Sequence, residues 1–190
     1  MPLNLPNFLT WLRIVLIPLF VGIFYFKVSW VSEPNQNLVA TIIFTVAAIT
    51  DWLDGWLARR LNQMSAFGAF LDPVADKLMV AAALITLVQL GRVDAIIALI
   101  IIGREIAISA LREWMAQIGA GKSVAVSFLG KIKTVSQMVA IPLLLYHDRI
   151  GVFDPQQVGS WLIYLAAVLT LASMAYYLRT ALPLAWRKPS

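Results

Sequence analysis

Four of the chain's seven aspartates, Asp51, Asp54, Asp72 and Asp76, fall within one short stretch between long apolar runs. A carboxylate at the centre of a membrane helix costs about 2.5–3.5 kcal/mol on insertion scales, so four of them require a compensating charge or a water-filled site. No other feature constrains the fold as tightly. The chain cannot avoid the bilayer either, because 61% of its 190 residues are hydrophobic and 13% charged, too little polar surface to coat a soluble globule. Apolar runs near the ~20 residues that cross a membrane recur from end to end. They predict an all-α membrane protein forming a single domain over residues 1–190.

Residues 3–12 carry Pro6, Asn7 and Thr10 among apolar side chains ahead of Arg13. That pattern fits a short interfacial helix or the first turn of the following span, and the interfacial helix is the expectation carried forward. Spans are expected over 13–30, 38–59, 68–90, 95–117, 135–146 and 158–177, a six-transmembrane-helix bundle with a short N-terminal interfacial helix. Polar turns are expected over 32–37 around Pro34, at Arg92 to Asp94 and over 147–155, and 118–130, with Gly119, Gly121 and Gly130, reads as a loop. The fourth helix is too charged for lipid from Arg104 onward, so its second half is expected to leave the bilayer or line a wet cavity. The first residues lack the basic start and cleavage site of a secretory signal, and the N-terminus is expected to be retained.

Six spans place both termini on one side, and the cations say which. Arg13, Arg59, Arg60, Lys77, Arg104, Arg112, Lys122, Lys131, Lys133, Arg179, Arg187 and Lys188 fall on one face, against Lys27, Arg92 and Arg149 on the other. The positive-inside bias makes the first face cytoplasmic, and the clustered aspartates lie on it. The net charge of +5 does not indicate nucleic acid, because the basic residues are scattered between spans; they fit anionic lipid headgroups and phosphate substrates. The absence of cysteine excludes disulfides and thiolate chemistry, and a lone His147 cannot complete a zinc site.

Asp51 and Asp54 are three apart and Asp72 and Asp76 four apart, so each pair shares a helix face. The short connection between the pairs makes their helices antiparallel neighbours. Converging carboxylates repel unless cations intervene, and oxygen-only ligands favour magnesium, manganese or calcium. Two divalent ions would offset the four charges. Gly55, Ala58 and Gly68 would let a flat group approach the backbone, or serve plain helix packing. The residues alone leave other readings open: an ion or proton pathway of the transporter kind, and, for Asp72, an N-cap before Pro73.

The run Asp51-x2-Asp54-Gly55-x2-Ala58-Arg59-x8-Gly68-x3-Asp72-x3-Asp76 resembles the complete signature of the CDP-alcohol phosphotransferases, with every position and gap matched. The resemblance implies a six-helix membrane bundle with an interfacial N-terminal helix, usually dimeric. It implies that Asp51, Asp54, Asp72 and Asp76 bind two divalent cations, Mg²⁺ or Mn²⁺, which hold the pyrophosphate of a CDP-linked lipid. Asp51, Asp54, Gly55, Ala58, Arg59, Gly68 and Asp72 would form the CDP site. Asp76 would also be the general base that takes a proton from the acceptor hydroxyl.

Three more segments, Asn4-Leu-Pro-Asn-Phe-Leu-Thr10-x2-Arg13, Arg104-Glu-Ile-x-Ile-Ser-Ala-Leu-Arg112-Glu113 and Gly130-Lys-Ile-Lys-Thr134, look like the bacterial phosphatidylglycerophosphate synthases. That subfamily implies CDP-diacylglycerol and sn-glycerol 3-phosphate as substrates, a homodimer, and a multi-pass place in a bacterial inner membrane with the active site facing the cytoplasm. Charge placement agrees. Arg104 and Arg112 are eight apart, near two helical turns, and Lys131 and Lys133 open the next helix from the same side, so fixed cations could meet an acceptor phosphate. The alternative for each is a basic fringe touching anionic lipid. Glu105 and Glu113 are placed to pair with these cations. Rival readings are a related transferase with another acceptor, such as an inositol phosphate, serine or phosphatidylglycerol, and a cation or proton transporter.

Overall fold

The computed structural model describes residues 5–25, 32–61, 66–117 and 128–185. They form six helices: α1 Leu5–Tyr25, α2 Glu33–Leu61, α3 Ala66–Gln89, α4 Ala95–Gln117, α5 Phe128–Tyr146 and α6 Pro155–Ala185. Among the described residues there is no strand, only an isolated bridge between Ile150 and Phe153. The fold is all-α, as its composition requires. One segment of the described residues, Pro155–Arg179 in α6, is long and apolar enough to cross a membrane by length and composition alone. Shorter apolar stretches are Leu9–Tyr25 in α1 and Ile132–Tyr146 in α5. Asp51, Asp54, Arg59 and Arg60 interrupt α2, Asp72, Asp76 and Lys77 interrupt α3, and Arg104, Glu105, Arg112 and Glu113 interrupt α4.

Several boundaries differ from expectation. Residues 5–12, expected in a separate interfacial helix, are continuous with the first span in α1, which runs on through Pro18; Pro6 sits in its first turn, where a missing N–H is tolerated. α2 opens at Glu33, so Pro34 lies in its first turn and not in a polar turn. α3 opens at Ala66, which places Asp72 and Pro73 inside the helix and removes the N-cap reading of Asp72. α5 opens at Phe128, so Gly130 is helical and not in the loop, while Lys131 and Lys133 fall in the first turns of the helix as expected. α4 has the expected limits.

Helix ends are fixed by identifiable residues. α3 closes in a Schellman arrangement, with Gly91 at φ 69° and bonds from Arg92 N to Leu87 O (2.9 Å) and Gly91 N to Val88 O (3.0 Å). Asp94 caps α4 by accepting from Ile96 N at 2.7 Å, and Asp154 caps α6 by accepting from Gln157 N at 3.1 Å. The last carbonyls of α5 are met by a side chain from elsewhere. Arg92 donates to Leu144 O (3.2 Å) and Leu145 O (2.8 Å), and its other nitrogen to Asn37 Oδ1 (2.8 Å). This knot ties α2, the α3–α4 turn and α5 together at one end of the bundle.

The core alternates small and large side chains, with Ala40, Ala47, Ala83, Ala140 and Ala167 beside Phe20, Phe44, Leu84, Ile101 and Ile141. Small residues let helix backbones approach closely. α5 and α6 form the most extensive pairing, while α1 lies on α2 and α3, and α4 on α3 and α6. Gly159 sets the α5–α6 approach: a Cβ there would meet Leu144 Cγ at 2.8 Å.

Candidate active site

Two helices bring acidic groups to the end opposite Arg92, and a third meets them there. Asp51 comes from α2, Asp72 and Asp76 come from α3, and α1 reaches both helices with polar side chains. Arg13 Nη1 lies 2.7 Å from Asp51 Oδ1, with the arginine 1% exposed and the Asp51 side chain 43% exposed. Thr10, one helical turn before Arg13 and buried, donates its hydroxyl to Asp72. A charged pair and a hydroxyl–carboxylate bond therefore fix α1 against the acidic helices. Neither Thr10 nor Arg13 stood out in the sequence as a site residue.

Asp51 and Asp76 share a cavity. It measures about 380 Å³ and is bounded by Thr45, Ala48, Ile49, Asp51, Asp76, Thr134, Met138 and Pro142, so it lies between α2, α3 and α5 with mostly apolar walls. Ile49 is half-exposed on the outer surface, which gives this space an apolar flank. A second cavity of about 80 Å³ shares Asp76, Thr134 and Met138 with the first and is lined further by Lys77, Val80, Glu105 and Gln137. Asp76 thus lines both a mainly apolar space and a smaller one with charged and polar side chains in its wall.

The cations expected to meet a phosphate gather around Glu105 and Tyr177. Glu105 accepts a short contact from Lys133, which is 2% exposed, and its Oε1 lies 3.4 Å from Arg104 Nη1. Arg104 also donates to Ser173 Oγ at 3.3 Å, and its guanidinium sits 5.8 Å from the centre of the buried Tyr177 ring. Arg112 stands over the same ring at 5.7 Å and donates to the Tyr177 hydroxyl at 3.4 Å. The eight-residue spacing of the two arginines thus becomes a clamp around one aromatic ring of α6. Cation–π geometry of this kind holds guanidinium planes in place while leaving N–H groups to meet an anion.

For Asp54, Gly55, Ala58, Arg59, Gly68 and Lys131 the description ends at the helix that carries each: α2 for the first four, α3 for Gly68 and α5 for Lys131. Lys27, Lys122, Arg187 and Lys188 lie outside the described residues. Among the described residues no group of three or more His, Cys, Asp or Glu side chains is gathered closely enough to hold a metal ion. The donor chemistry nevertheless fits a hard cation. Asp51 and Asp76 line one cavity with carboxylates, and no histidine or cysteine lines it.

The family model for CDP-alcohol phosphatidyltransferase matches residues 3–172. A protein of Shigella flexneri serotype 5b named CDP-diacylglycerol--glycerol-3-phosphate 3-phosphatidyltransferase is 50% identical over 183 residues, covering 95% of this chain and 96% of its own. A protein of Escherichia coli K12 with the same name shows the same identity and coverage. The acidic signature lies inside the matched region, and with the match spanning most of its length the chain belongs to the CDP-alcohol phosphatidyltransferase family.

Proposed function

We propose that this chain transfers the phosphatidyl group of CDP-diacylglycerol to sn-glycerol 3-phosphate, giving phosphatidylglycerophosphate and CMP. The observation that carries the reading is the position of Asp76, shared between the apolar cavity toward α2 and the polar cavity beside Glu105 and its cations. A lipid donor and a phosphorylated polyol need such a boundary. The names of the relatives in Shigella flexneri and Escherichia coli state the same pair of substrates.

Asp51, Asp54, Asp72 and Asp76 would hold two divalent cations, Mg²⁺ or Mn²⁺. When bound, these supply charge stabilisation for the attacking and leaving oxygens of an in-line displacement. Gly55, Ala58, Arg59 and Gly68 would shape the cytidine site. Asp76 takes the proton of the acceptor hydroxyl; the freed oxygen bonds to the lipid-side phosphorus, and the bond to the bridging oxygen breaks as CMP leaves with its electron pair. Arg104, Arg112, Lys131 and Lys133 neutralise and orient the acceptor phosphate. Arg13 and Thr10 hold Asp51 and Asp72 in position from α1.

The six helices cross a bilayer in this reading, with the site at the cytoplasmic end of a bacterial inner membrane. Support comes from the outward faces: Val15, Leu99, Val135 and Trp161, on four different helices, are each more than 60% exposed. The donor enters from the membrane beside Ile49 and the acceptor from the cytoplasm. The working form is a homodimer, which light scattering of the detergent-solubilised protein tests directly.

The decisive experiment measures CMP release from CDP-diacylglycerol with a panel of acceptors, with and without chelator. Release with sn-glycerol 3-phosphate alone, abolished by chelator and restored by Mg²⁺ or Mn²⁺, is the expected result. A preference for an uncharged alcohol would overturn the acceptor, and ion flux across vesicles without CMP release would favour a transporter.

A further inference from the structure

Gln137 lies on α5, one turn beyond Lys133, and is 3% exposed. Its side-chain oxygen is buried and has no hydrogen-bond partner. A buried amide carbonyl left without a donor is destabilising, and native proteins keep few of them. The residue that carries this one lines the small polar cavity with Asp76, Glu105 and Thr134. The Thr134 hydroxyl donates to Gly130 O at 2.9 Å and is not the missing donor. At about 80 Å³, the cavity has room for a small hydroxylated group.

The proposed acceptor has three polar features. Its phosphate is assigned to the Arg104, Arg112 and Lys133 cluster, and its attacking primary hydroxyl to Asp76. The secondary hydroxyl on the central carbon has no partner in that assignment. It is an O–H donor on the carbon next to the attacking group, and Gln137 presents an acceptor without a donor in the cavity next to Asp76.

We infer that Gln137 is a specificity-determining residue, whose side-chain carbonyl accepts a hydrogen bond from the secondary hydroxyl of the acceptor polyol. This rests on the reading of sn-glycerol 3-phosphate as the substrate. A site built to bond a substrate hydroxyl discriminates strongly against the analogue that lacks it, because the buried protein group is then left unpaired. Substrate selection would therefore be divided: the cations read the phosphate, and Gln137 reads the polyol.

The test compares sn-glycerol 3-phosphate with 3-hydroxypropyl phosphate, which keeps the primary hydroxyl and phosphate but lacks the secondary hydroxyl. Steady-state CMP release is measured for the full-length wild-type enzyme and for Gln137→Leu and Gln137→Met. The wild type should prefer glycerol phosphate by roughly 100-fold or more in kcat/KM. Both variants should lose about 10- to 100-fold with glycerol phosphate and little with the deoxy analogue, with the KM for CDP-diacylglycerol unchanged. The ratio between acceptors is taken on one preparation, so partial misfolding cancels. Equal losses on both acceptors, or retained discrimination, would overturn the inference while leaving the proposed reaction intact. A wild-type enzyme that ignores both acceptors but releases CMP with another alcohol would overturn the acceptor itself.

Discussion

Arg13 on α1 and Asp51 on α2 form a 2.7 Å ion pair whose two ends face different surroundings, the arginine 1% exposed and the aspartate side chain 43% exposed. Breaking an ion pair costs most where the charge left behind is buried and has nothing else to bond. Asp51→Asn and Arg13→Met should each destabilise, and by less than the loss of an isolated buried pair, because Arg13 has a further interaction besides Asp51. Stranding a fully buried partner costs about 3–5 kcal/mol, and the half-exposed aspartate places this pair below that range. Thermal midpoints in detergent for both single variants and the double variant check this. The double variant should recover part of the Asp51→Asn loss, and strict additivity would show that the pair is not coupled.

Thr10 donates to Asp72 from the same face of α1. Partners that orient a metal-binding carboxylate typically matter 10- to 100-fold in metal affinity. Thr10→Val, which keeps the shape and loses the hydroxyl, should raise the Mg²⁺ concentration for half-maximal CMP release by about that factor. Thr10→Ser should stay near the wild type. If Val and Ser behave alike, the hydroxyl does not act through Asp72.

The acidic helices were legible because carboxylates among apolar residues are costly and therefore conspicuous, and because three- and four-residue spacing fixes a helix face. Arg13 is the same anomaly in α1, yet its role was hidden, since pairing across 38 residues leaves no periodic trace. Gln137 and Tyr177 read as ordinary helix residues; only burial beside Asp76 or between two arginines distinguishes them. The limits of α4 were readable from Asp94 and the turn before it. The start of α5 was not, because a glycine followed by lysines has loop character locally, and the Lys133–Glu105 contact holds that stretch on a helix. Helix count followed from hydropathy, whereas the charges that build the site are what lower the hydropathy of α2, α3 and α4.

Lys133 is nearly inaccessible and Arg112 is exposed, yet both are assigned to the acceptor phosphate. Hydrogen bonds to charged groups contribute about 1.5–3 kcal/mol each, so losing one should raise the acceptor KM roughly 10- to 100-fold. Lys133→Met and Arg112→Ala are each expected to do so with the CDP-diacylglycerol KM unchanged. An unchanged acceptor KM in both would place the phosphate elsewhere.

Asp154 gives the stability a defined pH dependence. The Gln157 backbone N–H and then Arg149, 2.8 Å away, hold its carboxyl below the usual aspartate value. A carboxylate with a lower pKa folded than unfolded contributes fully above about pH 4, the ordinary aspartate range, and loses that contribution as the pH falls through its folded value. Wild-type thermal midpoints should thus drop more steeply below pH 4 than those of Asp154→Asn, which keeps a capping oxygen. Asp154→Ala should be less stable at every pH above that range. Parallel curves for wild type and Asp154→Asn would mean that the cap does not titrate with stability.

Arg92 makes a separable prediction at the opposite end of the bundle. Its guanidinium bonds two terminal carbonyls of α5 and Asn37, whose amide nitrogen lies 3.5 Å from Asp148. Burial pulls the Arg92 pKa down, with Asp148 and Glu33 opposing; arginine begins so far above neutrality that the group stays charged across any assay range. Arg92→Ala leaves those acceptors without a charged donor, and with the side chain only half-buried a loss of about 2–4 kcal/mol is expected. Arg92→Lys should restore less than half, since one ammonium cannot reproduce the planar fork that spans α2 and α5. The KM values of the surviving folded enzyme should not change, because the knot touches neither cavity. A changed acceptor KM in Arg92→Lys would instead show that the two ends of the bundle are coupled through α5.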